Sequence, residues 1–378
     1  NIITITPEEF NFNNVQTAAD LLSGSGKVFV QKSQLGGGSP MIRGFAANSV
    51  LIVVDGIRMN NAIFRQGNLQ NIINIDPNFI QNSEVIEGPG SVLYGSDALG
   101  GIMDFHTFEP QFEPESYFNG KAMLRFSTAN MEKTGHMQWS AGAKRWAYFG
   151  GISYSDFDDL KTGSRRSDRF PDYGKRPWYV SRIDETDSII TNENENLQVP
   201  SGFNQFSTLQ KFRFKIGDMT DLNYSFHYNA TSDIPRYDRL IQVDAETLLP
   251  TNAKWYYGPQ KWMMNQLRLN IKSAGNIYDR ARINLGYQIF NESRHSRKFQ
   301  DAILTHREEK VDLVTANVDF EKNIFDKHNL FYGIEFTGNW VNSQANAFDI
   351  ETEATTIATT RYPNEGSNMT TIAAYGSY

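Results

Sequence analysis

Leu222-Asn-Tyr-Ser-Phe-His-Tyr-Asn229 reads as two sequences interleaved. Leu222, Tyr224, Phe226 and Tyr228 are apolar or aromatic, whereas Asn223, Ser225, His227 and Asn229 between them are polar. Successive side chains of a strand point to opposite faces, so this segment predicts a strand with one apolar and one wet face. The same pattern recurs on both sides of it. Phe118, Gly120, Ala122, Leu124 and Phe126 oppose Asn119, Lys121, Arg125 and Ser127. Leu330, Tyr332, Ile334, Phe336 and Trp340 oppose Asn329, Glu335, Thr337 and Asn339.

Working outward, ten such strands are expected, at 118–128, 134–145, 146–156, 205–216, 220–230, 261–272, 277–290, 309–321, 328–340 and 370–378. Connections near 145, 217–219, 273–276 and 322–327 are hairpin-tight, and those at 157–204, 231–260, 291–308 and 341–369 are long. A soluble sandwich or up-and-down barrel also alternates and also has hairpins. Strands near the 9–11 residues that cross a bilayer, with the long loops all on one side, favour a membrane barrel instead.

Composition agrees with that choice. The 378 residues are 13 % aromatic but only 39 % hydrophobic, the mixture expected when every second strand residue faces something apolar. No run approaches the roughly 20 apolar residues of a membrane helix, the best being Ser49-Val-Leu-Ile-Val-Val54, closed by Asp55. A net charge of −7 argues against nucleic acid, whose binders carry a basic footprint. The absence of cysteine removes disulfides and thiolate metal sites. Asn1-Ile-Ile-Thr-Ile-Thr6 has neither the basic segment nor the apolar core of a signal peptide, as expected of a mature or trimmed chain.

Residues 1–108 follow a different grammar. Thr17-Ala-Ala-Asp-Leu-Leu22 predicts a helix, while Lys27 to Gln31, Val50 to Val54, Glu84 to Ile86 and Ile102 to Phe105 predict short strands. Asp55-Gly56 is a turn signal. This is a small α+β domain, followed by a connector at 109–117 that contains Glu109-Pro-Gln-Phe-Glu-Pro114. Gly88, Gly90, Gly95, Gly100 and Gly101 allow tight bends and close backbone approach. Without a Gly-Lys-Ser/Thr ending and a long helix, the string is not a phosphate loop.

Three elements of this region resemble the plug of TonB-dependent receptors: Pro40-Met-Ile-Arg-Gly44, Val50-Leu-Ile-Val-Val-Asp-Gly-Ile-Arg58, and Ser83-Glu-Val-Ile-Glu-Gly-Pro-Gly-Ser-Val-Leu-Tyr-Gly-Ser-Asp-Ala-Leu-Gly-Gly-Ile102. The resemblance implies a transmembrane antiparallel β-barrel, residues 118–378 being its N-terminal part, with the α+β plug domain in its lumen. It further implies an outer-membrane importer in a Gram-negative bacterium, in contact with outer-membrane lipid, not an enzyme and without a cofactor. The TonB energy-transducing complex would pair as an added strand with a box expected before Asn1. Arg43, Glu84, Glu87, Gly88, Tyr94, Gly95, Gly100 and Gly101 carry the plug motif and its contacts. A buried arginine needs carboxylate partners; the resemblance implies that Arg43 pairs with acidic residues on the barrel wall, the alternative being a local bridge to Glu84 or Glu87. Glu87 stands where many members are basic.

The resemblance also implies ligand contacts at the plug apex, here Arg58, Asn60, Asn61, Phe64, Arg65 and Gln66, and in the outer loops, among them 157–204. There Arg165, Arg166, Arg169, Tyr173, Lys175, Arg176, Trp178 and Tyr179 form a basic aromatic patch suited to an anionic iron chelate such as a ferric siderophore. The runner-up is haem, with His295 and His306 as axial candidates in one outer loop. A saccharide or peptide importer fits less well, because its plug usually reads Leu-Lys-Asp-Ala-Ser where Ile86-Glu-Gly-Pro-Gly-Ser91 stands. A docking barrel without transport, serving a surface lipoprotein or another outer-membrane partner, is the alternative of a different class.

Size gives a check on completeness. A plug of about 108 residues is a globule about 34 Å across. Ten strands at about 4.8 Å spacing and 40° tilt enclose a ring of only about 20 Å, whereas about 22 strands give about 44 Å. About half of the barrel is therefore expected to lie outside this sequence.

Overall fold

A computed structural model describes residues 2–6, 12–26, 28–32, 35–46, 49–63, 71–88, 96–324 and 328–378. Among them, eight strands precede residue 110: β1 (Ile2–Ile5), β2 (Phe29–Gln31), β3 (Ser39–Ile42), β4 (Phe45–Ala46), β5 (Val50–Val54), β6 (Ile57–Arg58), β7 (Ile80–Glu87) and β8 (Gly101–Thr107). Five form one sheet in the order β1-β7-β8-β5-β6, in which β5 and β8 run parallel. Every residue of β5 is buried, as its unbroken apolar run requires. Helix α1 (Ala18–Gly24) begins at a capping box: the Thr17 hydroxyl accepts from the Asp20 amide, and the Asp20 carboxylate accepts from the Thr17 amide. Its buried face, Ala18, Ala19, Leu21 and Leu22, joins the core.

The rest is a wall of long strands. It comprises β9 (Tyr117–Ser127), β10 (Glu132–Gly142), β11 (Trp146–Phe157), a loop hairpin β12 (Trp178–Ile183) with β13 (Thr186–Thr191), then β14 (Phe203–Lys215) and β15 (Thr220–Thr231). Loop strands β16 (Ile234–Pro235) and β17 (Asn252–Tyr257) flank a helical turn α2 (Tyr237–Leu240). There follow β18 (Lys261–Lys272), β19 (Arg280–Lys298), β20 (Ile303–Ile324), β21 (His328–Asp349), β22 (Thr355–Ile357) and β23 (Ser367–Ser377). Ten of these pair antiparallel as neighbours, β9-β10-β11-β14-β15-β18-β19-β20-β21-β23. All ten expected strands are present.

One expected loop is not a loop. Residues 291–308 continue β19 and β20 into a hairpin that pairs Asn291 with Lys310 and Ser296 with Thr305. β21 likewise runs on to Asp349. Past the end of β18 the alternation weakens, because Asn291 to Lys298 and Thr305 to Lys310 are polar on both faces, and a pattern-based reading stops too soon. The extended part of β19 pairs with β17 instead of β18.

Burial decides between membrane and soluble barrels. On β15 the polar residues Asn223, Ser225, His227 and Asn229 are 6, 3, 6 and 1 % exposed, while Tyr224 between them is 38 % exposed. The order repeats along the wall: Ser207, Lys211, Gln266, Asn284 and Gln288 are buried, and Phe206, Phe212, Leu267, Leu285 and Tyr287 are exposed. A soluble barrel would bury the aromatic face. Here the wet face looks inward onto the first domain and the apolar face looks out, the arrangement that a bilayer requires.

The two units share one apolar core, in which Ile57, Ile63 and Ile72 join Trp262, Phe290, Val311 and Leu313. Contact is close enough to restrict the wall: a Cβ at Gly151 would stand 2.5 Å from the Phe79 ring.

Candidate functional site

The turn between β5 and β6 carries a buried ionic link to the wall. Asp55 and Gly56 both have positive φ, 51° and 82°, which makes a type I′ turn. The Asp55 carboxylate is fully enclosed. It accepts from the Thr107 amide and hydroxyl at 2.9 and 2.6 Å, lies 2.9 Å from Lys211 Nζ, and lies 3.4 Å from His227 Nε2. Gln266 donates to the Asp55 carbonyl and Asn284 to that of Gly56. Burial alone would raise the Asp55 pKa, but Lys211 and His227 beside it hold the carboxyl well below the usual carboxylate range. Sequence reading saw a turn here and missed the latch, since its counter-charges sit on distant strands.

Arg58, expected to meet ligand, faces the wall instead. Its guanidinium bridges Asp97 at 2.6 Å and Glu335 of β21 at 2.8 Å, and its carbonyl accepts from Gln288. Asn60 is buried with both polar atoms on β5, accepting from the Ile52 amide and donating to the Val50 carbonyl. Asn61 turns back to accept from the Ile63 amide, and Asn339 of the wall accepts from the Ala62 amide. The apex positions Arg58, Asn60 and Asn61 thus hold the turn and seat it. Phe64, Arg65 and Gln66 lie outside the described residues, as do Gly90, Tyr94 and Gly95.

Arg43 and Gly44 form a second two-residue turn of positive φ, 50° and 85°, between β3 and β4. That puts the Arg43 side chain at a tip, 61 % exposed and 3.2 Å from Glu87. Among the described residues its ion pair is this local one. Glu84 stands opposite Thr4 and Asp104 in the sheet. Gly88 has a φ of 103°. At Gly101 the φ is 145° and a Cβ would meet the Ile86 carbonyl at 2.6 Å; neighbouring Gly100 packs on Phe45. Below Arg58, a cavity of about 670 Å³ separates β5 and β8 from the wall, lined by Val53, Asp104, Arg282, Asp319 and Glu335. Burial pushes the Asp104 carboxyl up to about 6, with His106 opposing the shift.

The outer-loop patch is dispersed. Arg166 binds the Tyr173 carbonyl and the Asn196 side chain, and Lys175 pairs with Asp172 and Glu195. Arg176 is buried, donates to the Val199 and Leu240 carbonyls, and lies over Trp178 at 4.4 Å. Tyr179 sits on β12 opposite Ile190. Arg165, Arg169 and Tyr173 remain exposed. The loop is tied down elsewhere: Asp187 receives two hydrogen bonds from Arg297, at 2.5 and 2.8 Å, plus the Gln300 amide.

A different cluster stands over the first domain. Trp255 and Tyr362 pack on the shared core, as Ala62 of the first domain also does. Arg236 lies over Trp255 and Tyr257 at 5.0 and 5.4 Å, Arg294 over Tyr257 at 5.3 Å, and Arg361 over Tyr362 at 5.6 Å. Arg236 is held by Asp238, and Arg361 by Glu309. Burial lowers the Arg294 pKa, Tyr257 working against the shift, and its enclosed Nε finds no hydrogen-bond partner among the described residues. Sequence reading missed these residues. The dense run Trp255-Tyr-Tyr257 near Arg236 was the available signal.

His295 and His306 are cross-strand partners with Nδ1 atoms 2.5 Å apart. Burial, and then His306, push the His295 pKa down to about 4; burial also lowers that of His306.

Residues 1–102 match the family model described as the TonB-dependent Receptor Plug Domain. Over 82 residues the chain is 43 % identical to the vitamin B12 transporter BtuB of Vibrio vulnificus, covering 21 % of this chain and 13 % of that protein. It is 26 % identical to the ferrioxamine receptor of Yersinia enterocolitica over 208 residues (53 and 27 %) and 24 % identical to the hemin receptor of Yersinia pestis over 266 residues (68 and 32 %). Among solved structures, the copper transporter OprC superposes with a TM-score of 0.72 at 15 % identity, covering 99 % of this chain and 51 % of that one. The ferric yersiniabactin uptake receptor FyuA from Yersinia pestis gives 0.59 at 12 % identity, covering 100 and 61 %. The chain thus spans about half the length of these structures and a third or less of the curated relatives. The plug match lies on the domain latched by Asp55, so residues 1–102 are a TonB-dependent receptor plug domain, and the ten-strand wall shares the fold of these outer-membrane transporters.

Proposed function

We propose that the whole protein imports an anionic metal chelate of the ferric-siderophore type, received in the outer vestibule and driven inward by TonB. Residues 1–108 act as the plug, 109–117 as the connector and 118–378 as the first part of the barrel. The observation that carries this reading is the cluster of Arg236, Arg294 and Arg361 around Trp255, Tyr257 and Tyr362, directly over the plug. Three guanidiniums on aromatic faces, against the two carboxylates Asp238 and Glu309, leave a positive balance that favours an anion with flat surfaces. Arg294 is the best placed to bind, because no carboxylate among the described residues bridges it. The relatives' names span vitamin B12, ferrioxamine and hemin and do not choose a ligand.

Haem gains nothing from His295 and His306, whose facing nitrogens leave no room for a macrocycle between them. The test is to titrate the whole receptor with a panel of ferric catecholate, hydroxamate and citrate chelates, following tryptophan fluorescence, and to measure uptake of whichever binds. Arg294→Met is expected to weaken binding about tenfold, the loss of one charge-assisted contact. Binding without uptake in the wild type would leave a docking barrel. Haem binding with no response to any chelate would overturn the siderophore reading.

A further inference from the structure

Tyr256, His295 and His306 lie on the other face of the sheet from the vestibule, since Trp255, Tyr257 and Arg294 are their strand neighbours. The Tyr256 ring stacks on His295 at 4.6 Å and 18°, fixing the imidazole plane. The Gly258 backbone is a polar neighbour of His295, whose Nε2 is enclosed. With its proton on Nε2, His295 turns a lone pair at Nδ1 toward His306 Nδ1, 2.5 Å away. Two such nitrogens repel unless a proton or a metal ion lies between them. An imidazole nitrogen with a free lone pair is a ready ligand for a late first-row ion, and the two rings present theirs to each other across the hairpin. Glu308, two residues from His306 on the same face, is the charged group acting on it and favours a cation.

We propose that His295 and His306 form a two-imidazole site for a late first-row divalent ion, Cu²⁺ before Ni²⁺ or Zn²⁺, at the outer end of the β19–β20 hairpin. The rings open by a few tenths of an ångström to admit the ion, and water completes its coordination. The site is distinct from the proposed chelate vestibule and does not depend on it.

The experiment is a titration of the whole receptor in detergent with Cu²⁺ alone, by calorimetry and electron paramagnetic resonance. One ion per chain is expected, with nitrogen hyperfine structure from two imidazoles and an affinity that falls at least about tenfold in His295→Gln or His306→Gln. His106→Gln, at the other end of the plug, should leave it unchanged. Should His295→Gln fail to fold, the partly buried His306→Gln decides alone. No bound ion, or an affinity equal to wild type in the folded His306→Gln, would mean a hydrogen-bonded pair only and overturn the proposal.

Discussion

At the scale of residues, the plug is held by buried charges whose partners are specific. Removing one member of a buried pair strands the other, at a cost of about 3–5 kcal/mol. Asp55→Ala should therefore loosen the plug by that order, seen as faster hydrogen exchange across β5 and β8 with the barrel intact. Exchange equal to wild type would mean that Lys211 and His227 do not carry the latch. Asp104 works in the opposite sense. Its folded pKa lies above the unfolded value of about 3.9, so its contribution is fully present below that pH and is lost as pH rises through about 6. Asp104→Asn should then stabilise the plug at pH 7 by about 1–2 kcal/mol and flatten its pH dependence between about 4 and 6. A steeper profile in the variant would contradict the burial argument. The Asp55–Gly56 turn was readable from two adjacent letters. Its counter-charge was not, because contacts between distant strands leave no local pattern.

At the scale of elements, strand alternation was legible wherever one face met lipid and the other the plug. It faded in β19 to β21 past the end of β18, where polar residues occupy both faces, and there most of 291–308 and residues 341–349, expected as loop, proved to be strand. The outer-loop patch is spread apart in the structure for a related reason. Arg166 and Arg176 are spent on carbonyls within the outer loops, a demand that composition does not reveal. What holds β12–β13 in place is Asp187, whose carboxyl burial would raise but whose hydrogen bonds from Arg297 and Gln300 keep low. A depressed pKa gives stability that is present above about pH 3.9 and lost only on further acidification. Asp187→Asn should thus raise exchange in 178–191 at pH 7 while wild type stays protected down to about pH 4. Equal protection in both would place the anchor elsewhere.

At the scale of the whole molecule, a wall of ten strands presents an aromatic outside and a polar inside to two different solvents, lipid and plug. The inversion of burial relative to a soluble barrel carries the membrane assignment, and the plug motif carries the family. The most direct measurement uses the natural absence of cysteine. Single cysteines at each position from 222 to 229 of the receptor in bilayers would carry spin labels, read by accessibility to oxygen and to a water-soluble nickel chelate. Oxygen accessibility should peak at 222, 224, 226 and 228 and fall at 223, 225, 227 and 229. The opposite phase, or no period of two, would contradict the membrane barrel.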